Sequence, residues 1–185
     1  MTTDTTDTLR DQETIATIEG SLLDAYRDTI PPEYSAPSLT LTQAMLRIMA
    51  NYEQFAKRHG LTTNGLLTLT VIRFADVPCT QRLISKLLLI PKQTIGSIIA
   101  SFKKQGYVAE KPSPSDGRAK TLVLTEEGAA FSDHVLSELS ELERTALQAN
   151  SREEMEAAVR VANVYTDAFE RGLAKLEDDA ETRTP

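Results

Sequence analysis

The chain is short of the residues from which most catalytic and metal centres are built. It has one cysteine, Cys79, and two histidines, His59 and His134, in 185 residues. A single thiol excludes an intramolecular disulfide framework and any multi-cysteine zinc site, as expected for a reducing cytoplasm. The histidines lie far apart in the sequence, with no companion at metal or triad spacing, and read as a helix-end residue and a surface residue. There is no glycine-rich phosphate loop, nucleophile elbow or paired base, so no catalytic residue, cofactor or metal is assigned. Glu153, Glu154 and Glu156 cluster at a predicted helix start, where the helix dipole accounts for acidic side chains. Long apolar runs are also missing. The longest uncharged stretch, His59 to Ile72, is broken by four threonines and an asparagine and falls short of the roughly 18 apolar residues of a membrane span. The first residues, MTTDTTDTLRDQET, are polar and acidic where a signal peptide would be basic and then apolar. The reading expects a cytoplasmic protein with no membrane partner.

What is present suits one mostly helical domain. Hydrophobic residues make up 41% and charged residues 25%, ordinary values for a chain that buries a core. Residues 1–38 read as an N-terminal extension with one short helix, whose apolar residues Ile15, Ile18, Leu22 and Tyr26 recur at helical spacing up to Ile30. Pro31 to Pro37 reads as a linker. Residues 39–60 form a longer helix with a buried stripe of Leu41, Met45, Ile48, Tyr52 and Phe55, closing near His59-Gly60. Leu61 to Phe74 reads as a helix, with strand as a competitor because of its threonines.

Thr80 is placed to cap a helix from Gln81 to Leu89 that buries Leu83, Ile84, Leu87 and Leu88. Pro91 suits the first turn of the next helix, which buries Ile95, Ile98, Ile99 and Phe102 and stops at Gly106. Tyr107 to Glu110 and Lys120 to Leu124 read as a hairpin with a polar tip, Leu122 and Leu124 alternating with Thr121 and Thr125. Thr125 caps a helix through Leu147 with a core stripe of Val135, Leu139, Leu142 and Ala146, and Ser151 with Glu154 forms a capping box opening a last helix to about Leu173.

Two helices joined tightly at Ile90-Pro91 and followed at once by a hairpin have the order of a winged helix-turn-helix, whose second helix lies in the DNA major groove. Opposite its apolar residues that helix presents Lys92, Gln93, Gly96, Ser97, Ala100 and Lys104, a small, polar and basic face suited to base edges and phosphates. The formal net charge of the chain is −7, which at face value opposes a polyanionic partner. From Thr80 to Leu122, however, eight basic residues face two acidic ones, a net +6 that leaves −13 elsewhere. Cations concentrated on one helix pair and hairpin are the footprint of a nucleic-acid surface. In the hairpin tip, Arg118 can reach into a minor groove, Asp116 can hold its direction, and Lys120 follows. The expected DNA-binding residues are Thr80, Gln81, Lys92, Gln93, Thr94, Ser97, Lys104, Arg118 and Lys120, with Asp116 as wing support.

The successive segments Leu83-Ile84-Ser85-Lys86-Leu87, Ile90-Pro91-Lys92-Gln93-Thr94-Ile95, Phe102-Lys103-Lys104-Gln105-Gly106-Tyr107-Val108, Asp116-Gly117-Arg118-Ala119-Lys120 and Leu124-Thr125-Glu126-Glu127-Gly128 resemble, in order and spacing, those of the MarR (multiple antibiotic resistance regulator) family. The resemblance runs from about Leu39 to Leu173. It implies a mainly α winged helix-turn-helix domain with a small β-hairpin wing, residues 61–124, between dimerisation helices in 39–60 and 125–175. It also implies a homodimeric transcriptional regulator, usually a repressor, that binds a pseudo-palindromic operator in double-stranded DNA and is often released by a small-molecule effector or an oxidant. The chain departs from the pattern in carrying Ser97 where many members have an arginine, and in the helix Ile15 to Ile30, which most members lack. An effector pocket is not readable. Cys79 stands where a helix N-terminus would favour a thiolate, yet cysteines that sense oxidants in the family typically lie in the first long helix, so Cys79 reads as a small semi-buried residue. The competing assignment is a winged-helix module that turns its basic face to an acidic protein without specific DNA binding.

Overall fold

The computed structural model describes residues 14–22, 24–25, 29–112 and 120–182. It divides into two compact units, Met1–Leu124 and Thr125–Pro185, described here in turn. In the first unit, helix α1 includes residues 14–22 and 24–25. It is followed by α2 (Pro32–Arg58), α3 (Thr63–Phe74), α4 (Gln81–Leu88), α5 (Lys92–Lys104), β1 (Val108–Pro112) and β2 (Lys120–Leu124).

The expected linker from Pro31 to Pro37 is helix instead: α2 begins at Pro32 and carries Pro37 inside it. Pro32 occupies the first turn, where a missing N–H is no loss and the fixed φ is already helical. Pro37 costs one bond, to the carbonyl of Glu33, near an exposed helix start. The Ser35 hydroxyl donates to the Pro32 carbonyl at 3.0 Å and that of Ser38 to the Ser35 carbonyl at 3.0 Å. At its other end α2 stops where expected, with Gly60 in the left-handed region at φ 70°.

The threonine-rich segment is helical. Thr62 caps α3, its hydroxyl accepting from the Gly65 amide at 3.0 Å, and Thr68 and Thr70 turn their hydroxyls onto the Asn64 and Leu66 carbonyls at 2.7 and 2.9 Å. Bonding back to the helix satisfies polar side chains that would otherwise oppose burial. Helix α3 touches α2, α4, α5 and β2 and buries Leu66, Thr68, Leu69 and Ile72, so it is the centre of this unit. The stripe on α2 is buried only at Phe55; Leu41, Met45 and Ile48 are exposed. On α4 only Ile84 is buried, and Leu83 and Leu87 face outward. The helical period correctly marks the apolar faces; among the described residues those side chains stay exposed.

The joint between α4 and α5 is built from polar contacts. Thr80 caps α4, accepting from the Leu83 amide at 3.2 Å. Helix α4 ends on Leu89, which has φ 55° and is 90% exposed. The turn is closed by the Ile90 amide on the Ser85 carbonyl at 3.2 Å and by the Ser85 hydroxyl on the Ile90 carbonyl at 2.7 Å. Across it, the Gln81 side-chain amide donates to the Lys92 carbonyl at 2.8 Å. That amide lies where a β-carbon on residue 96 would come within 2.7 Å of it, so Gly96 is what lets the two helices meet here.

Strands β1 and β2 pair antiparallel, Val108 with Leu124 through Pro112 with Lys120. The Leu122 amide also donates to the Cys79 carbonyl at 2.7 Å, tying the loop before α4 to the hairpin. The expected alternation fails at Thr121, which is buried next to buried Leu122. Its hydroxyl is satisfied by the Lys111 carbonyl at 3.2 Å, which removes the cost of turning it inward.

The second unit consists of α6 (Glu126–Gln148) and α7 (Arg152–Thr182). The Thr125 hydroxyl accepts from the Gly128 amide at 2.9 Å. Ser151 and Glu154 complete the expected capping box, Ser151 N–H to the Glu154 carboxylate at 2.7 Å and Glu154 N–H to the Ser151 hydroxyl at 3.2 Å. Hydrogen bonding to the Glu154 carboxylate, from the Ser151 N–H foremost and then from the Ser151 side chain, holds that carboxyl below its ordinary range. Helix α6 buries Ser132, Val135 and Leu136, whereas Leu142 and Ala146 of the expected stripe are exposed and Leu139 is half-buried. Helix α7 continues past Leu173 to Thr182 and buries no described side chain.

Two outcomes follow from the joint. A left-handed backbone costs an L-residue about 1 kcal/mol that glycine avoids; Leu89→Gly is therefore expected to raise the melting temperature by a few degrees, and an unchanged or lower value would count against strain at this turn. Gly96→Ala gains about 1 kcal/mol of helix propensity but displaces the Gln81 amide, a hydrogen bond of similar worth, so stability should change little. In a Gln81→Ala background the same substitution should stabilise by about 1 kcal/mol, and equal effects in the two backgrounds, measured by urea unfolding, would show that the two residues are not coupled.

Candidate nucleic-acid interface

Helix α5 sorts its side chains as its sequence requires. Ile95, Ile99 and Phe102 are buried and Ile98 is half-buried, while Lys92, Gln93, Ser97, Ala100 and Lys104 are exposed and Thr94 and Gly96 intermediate. Lys92, Gln93, Ser97, Ala100 and Lys104 thus share one exposed face. The Ser97 hydroxyl bonds to the Gln93 carbonyl at 3.2 Å, which folds it against the helix and keeps the face low. The open flank of Gly96 is occupied by Gln81, so this glycine serves the packing of α4 on α5.

The other expected contact residues have more specific settings. The Thr80 hydroxyl serves as a helix cap and the Gln81 amide braces the joint. Lys120, on β2, is exposed, yet its Nζ lies 2.9 Å from Glu110 Oε2. Glu110 Oε1 receives Lys103 at 3.1 Å. The hydrogen bonds from Lys120 and then Lys103 hold the Glu110 carboxyl below its ordinary range. Reasoning from sequence missed this three-residue cluster; the signal was there, since Glu110 is one of only two acidic residues in the +6 segment. Asp116 and Arg118 lie outside the described residues.

Cys79 is buried at 4% relative exposure. Burial pushes its thiol pKa up by desolvating the thiolate, opposite to what a position beside a helix start suggests. A protonated, enclosed thiol is a poor oxidant sensor. Among the described residues no group of His, Cys, Asp and Glu is placed to hold a metal ion. No helix among them is long and apolar enough to cross a membrane.

A model of the MarR family matches residues 59–119, the stretch from just after α2 through β1 to the residue before β2. The HTH-type transcriptional repressor NicR of Pseudomonas putida is 31% identical over 115 residues, 60% of this chain and 72% of that protein. Among solved structures, a DNA complex of Staphylococcus aureus MepR superposes with a TM-score of 0.62 at 18% identity, covering 71% of this chain and 95% of the other. Bordetella bronchiseptica BpsR, whose DNA binding is described as regulated by 6-hydroxynicotinic acid, superposes with a TM-score of 0.58 at 21% identity, covering 70% and 92%. These two likenesses give the fold, a winged helix-turn-helix. With helix pair, hairpin and a relative of this identity and coverage in agreement, the chain belongs to the MarR family of transcriptional regulators.

Proposed function

We propose that this protein represses transcription by binding a pseudo-palindromic operator as a homodimer, and that a small-molecule effector releases it. The observation that carries the reading is the exposed face of α5, with Lys92, Gln93, Ser97, Ala100 and Lys104 above a buried row of Ile95, Ile99 and Phe102, inside the +6 segment of an otherwise acidic chain. In the proposed complex α5 enters the major groove. Lys92, Gln93 and Thr94 read base edges at its start, Ser97 permits close approach, and Lys104 meets a phosphate. The N-terminus of α4, opened by Thr80 and Gln81, faces the phosphate backbone. Arg118, steadied by Asp116, enters the neighbouring minor groove.

Dimerisation is supported by two apolar faces, each exposed on a single chain. One runs along α2 through Leu41, Met45, Ile48 and Met49; the other runs along α7 through Val161, Tyr165, Phe169, Leu173 and Leu176. Patches of this length on monomers mark interaction surfaces, and a second copy of the chain would cover both. Two-fold symmetry then places two half-sites roughly 10 bp, or a multiple of that, apart. Repression and effector release rest on membership of the family, on the naming of NicR as a repressor and on the regulation described for BpsR.

The test is fluorescence anisotropy with a duplex from upstream of the protein's own gene and a scrambled duplex of equal length. The upstream duplex should bind more tightly. With about three phosphates neutralised per protomer, log K should fall with log salt at a slope of about −5. Lys104→Ala should flatten that slope by about two units per dimer and weaken both duplexes alike. Equal affinity for the two duplexes would overturn the reading and leave the basic face to an acidic protein partner.

A further inference from the structure

Among the described residues from Thr80 to Leu122, Glu110 is the only acidic one, set among cations that a polyanion would seek. Its carboxylate joins three elements. Glu110 is on β1; Lys103, at 3.1 Å, is in the last turn of α5; Lys120, at 2.9 Å, opens β2. Lys120 pairs in register with Pro112, two residues from Glu110 along β1, so the two side chains lie on the same face of the hairpin. An unaccompanied carboxylate here would repel DNA and weaken every complex. Its two oxygens instead take one lysine each, and both lysines remain partly open to solvent, at 43% for Lys103 and 72% for Lys120.

We propose that Glu110 sets selectivity: it withholds Lys103 and Lys120 from indiscriminate contact with phosphates and fixes the wing to the end of the recognition helix. The proposal rests on the DNA-binding reading above. A loosely seated, non-specific complex depends almost wholly on counterion release from lysine–phosphate contacts. Tying up two lysines per protomer therefore lowers non-specific affinity, while the base contacts of Lys92, Gln93 and Thr94 on the far end of α5 are untouched. Selectivity is the ratio of the two affinities, so it rises although no base is contacted.

Glu110→Gln removes the charge and keeps the shape. Measured with the upstream and scrambled duplexes, it should bind the scrambled duplex about tenfold more tightly at low salt and steepen the salt slope by about two to four units per dimer. Its preference for the upstream duplex should fall. Adding Lys103→Met and Lys120→Met to this variant should return the slope to that of the unmodified protein. An unchanged slope and preference in Glu110→Gln, or an equal loss of affinity for both duplexes, would reduce Glu110 to a structural brace and overturn the proposal. So would a slope that stays steep in the triple variant. Should Glu110→Gln fail to fold by circular dichroism, Lys103→Met and Lys120→Met in the otherwise unmodified protein decide. Withheld lysines leave the slope unchanged, and a flattening of about two units per dimer from either overturns the proposal. If the unmodified protein does not distinguish the two duplexes, the operator reading fails, while the slopes on the scrambled duplex still judge the clamp. If it binds neither duplex, both fall.

Discussion

The recognition surface depends on one contact, the Gln81 amide on the Lys92 carbonyl across Gly96. A helix can read a groove only if its angle and height are fixed by the helix beneath it. Helix α4 is short and buries a single residue, Ile84, too little apolar surface to hold α5 in one orientation unaided. The polar joint supplies direction where burial is scarce: Gln81 grips the first turn of α5, Ser85 closes the turn, and Thr80 fixes the start of α4. Hydrogen bonds are directional and hydrophobic contact is not, so this division of labour suits a surface whose geometry matters more than its stability.

Electrostatics acts over a longer range. The net charge of −7 divides into +6 between Thr80 and Leu122 and −13 elsewhere. An acidic remainder disfavours encounters with a polyanion except through the basic segment, which orients association before any contact forms. Glu110 applies the same principle within the segment. One anion between two cations leaves the cluster positive, sustaining attraction at a distance, while reducing the donors available once contact is made.

Much of this was legible in the sequence, because caps and stops are local chemistry. Thr80, Thr125 and the Ser151–Glu154 pair cap helices in the structure, and Gly60 and Gly106 end α2 and α5 with positive φ. The sorting of α5 into inward isoleucines and an outward polar face also follows directly from its period. Coverage was not legible. The spacing of Met45, Ile48, Leu83 and Leu87 marks them as apolar faces, but whether another part of the same chain reaches them is a tertiary property that periodicity does not contain. The roles of Gln81 and Glu110 escaped for a related reason: each partner lies on a different element, and residues read along one helix do not reveal their neighbours across a turn. Pro31 to Pro37 misled differently, since proline breaks helices in their interior and is tolerated at their start.

Helix α7 carries the constraint furthest. Its 31 residues include an exposed stripe through Val161, Tyr165, Phe169, Leu173 and Leu176, with the Tyr165 and Phe169 rings stacked at 6.1 Å between centroids. In most globular proteins a helix owes its stability chiefly to packing of its apolar face rather than to propensity. A helix this long that buries no described side chain within its own chain is therefore not accounted for by the fold of one protomer. In the dimer proposed above, the reading of the operator and the covering of these helices call on the same second copy. Under the proposed function, two-fold symmetry in the protein and a pseudo-palindrome in the DNA are two expressions of one requirement.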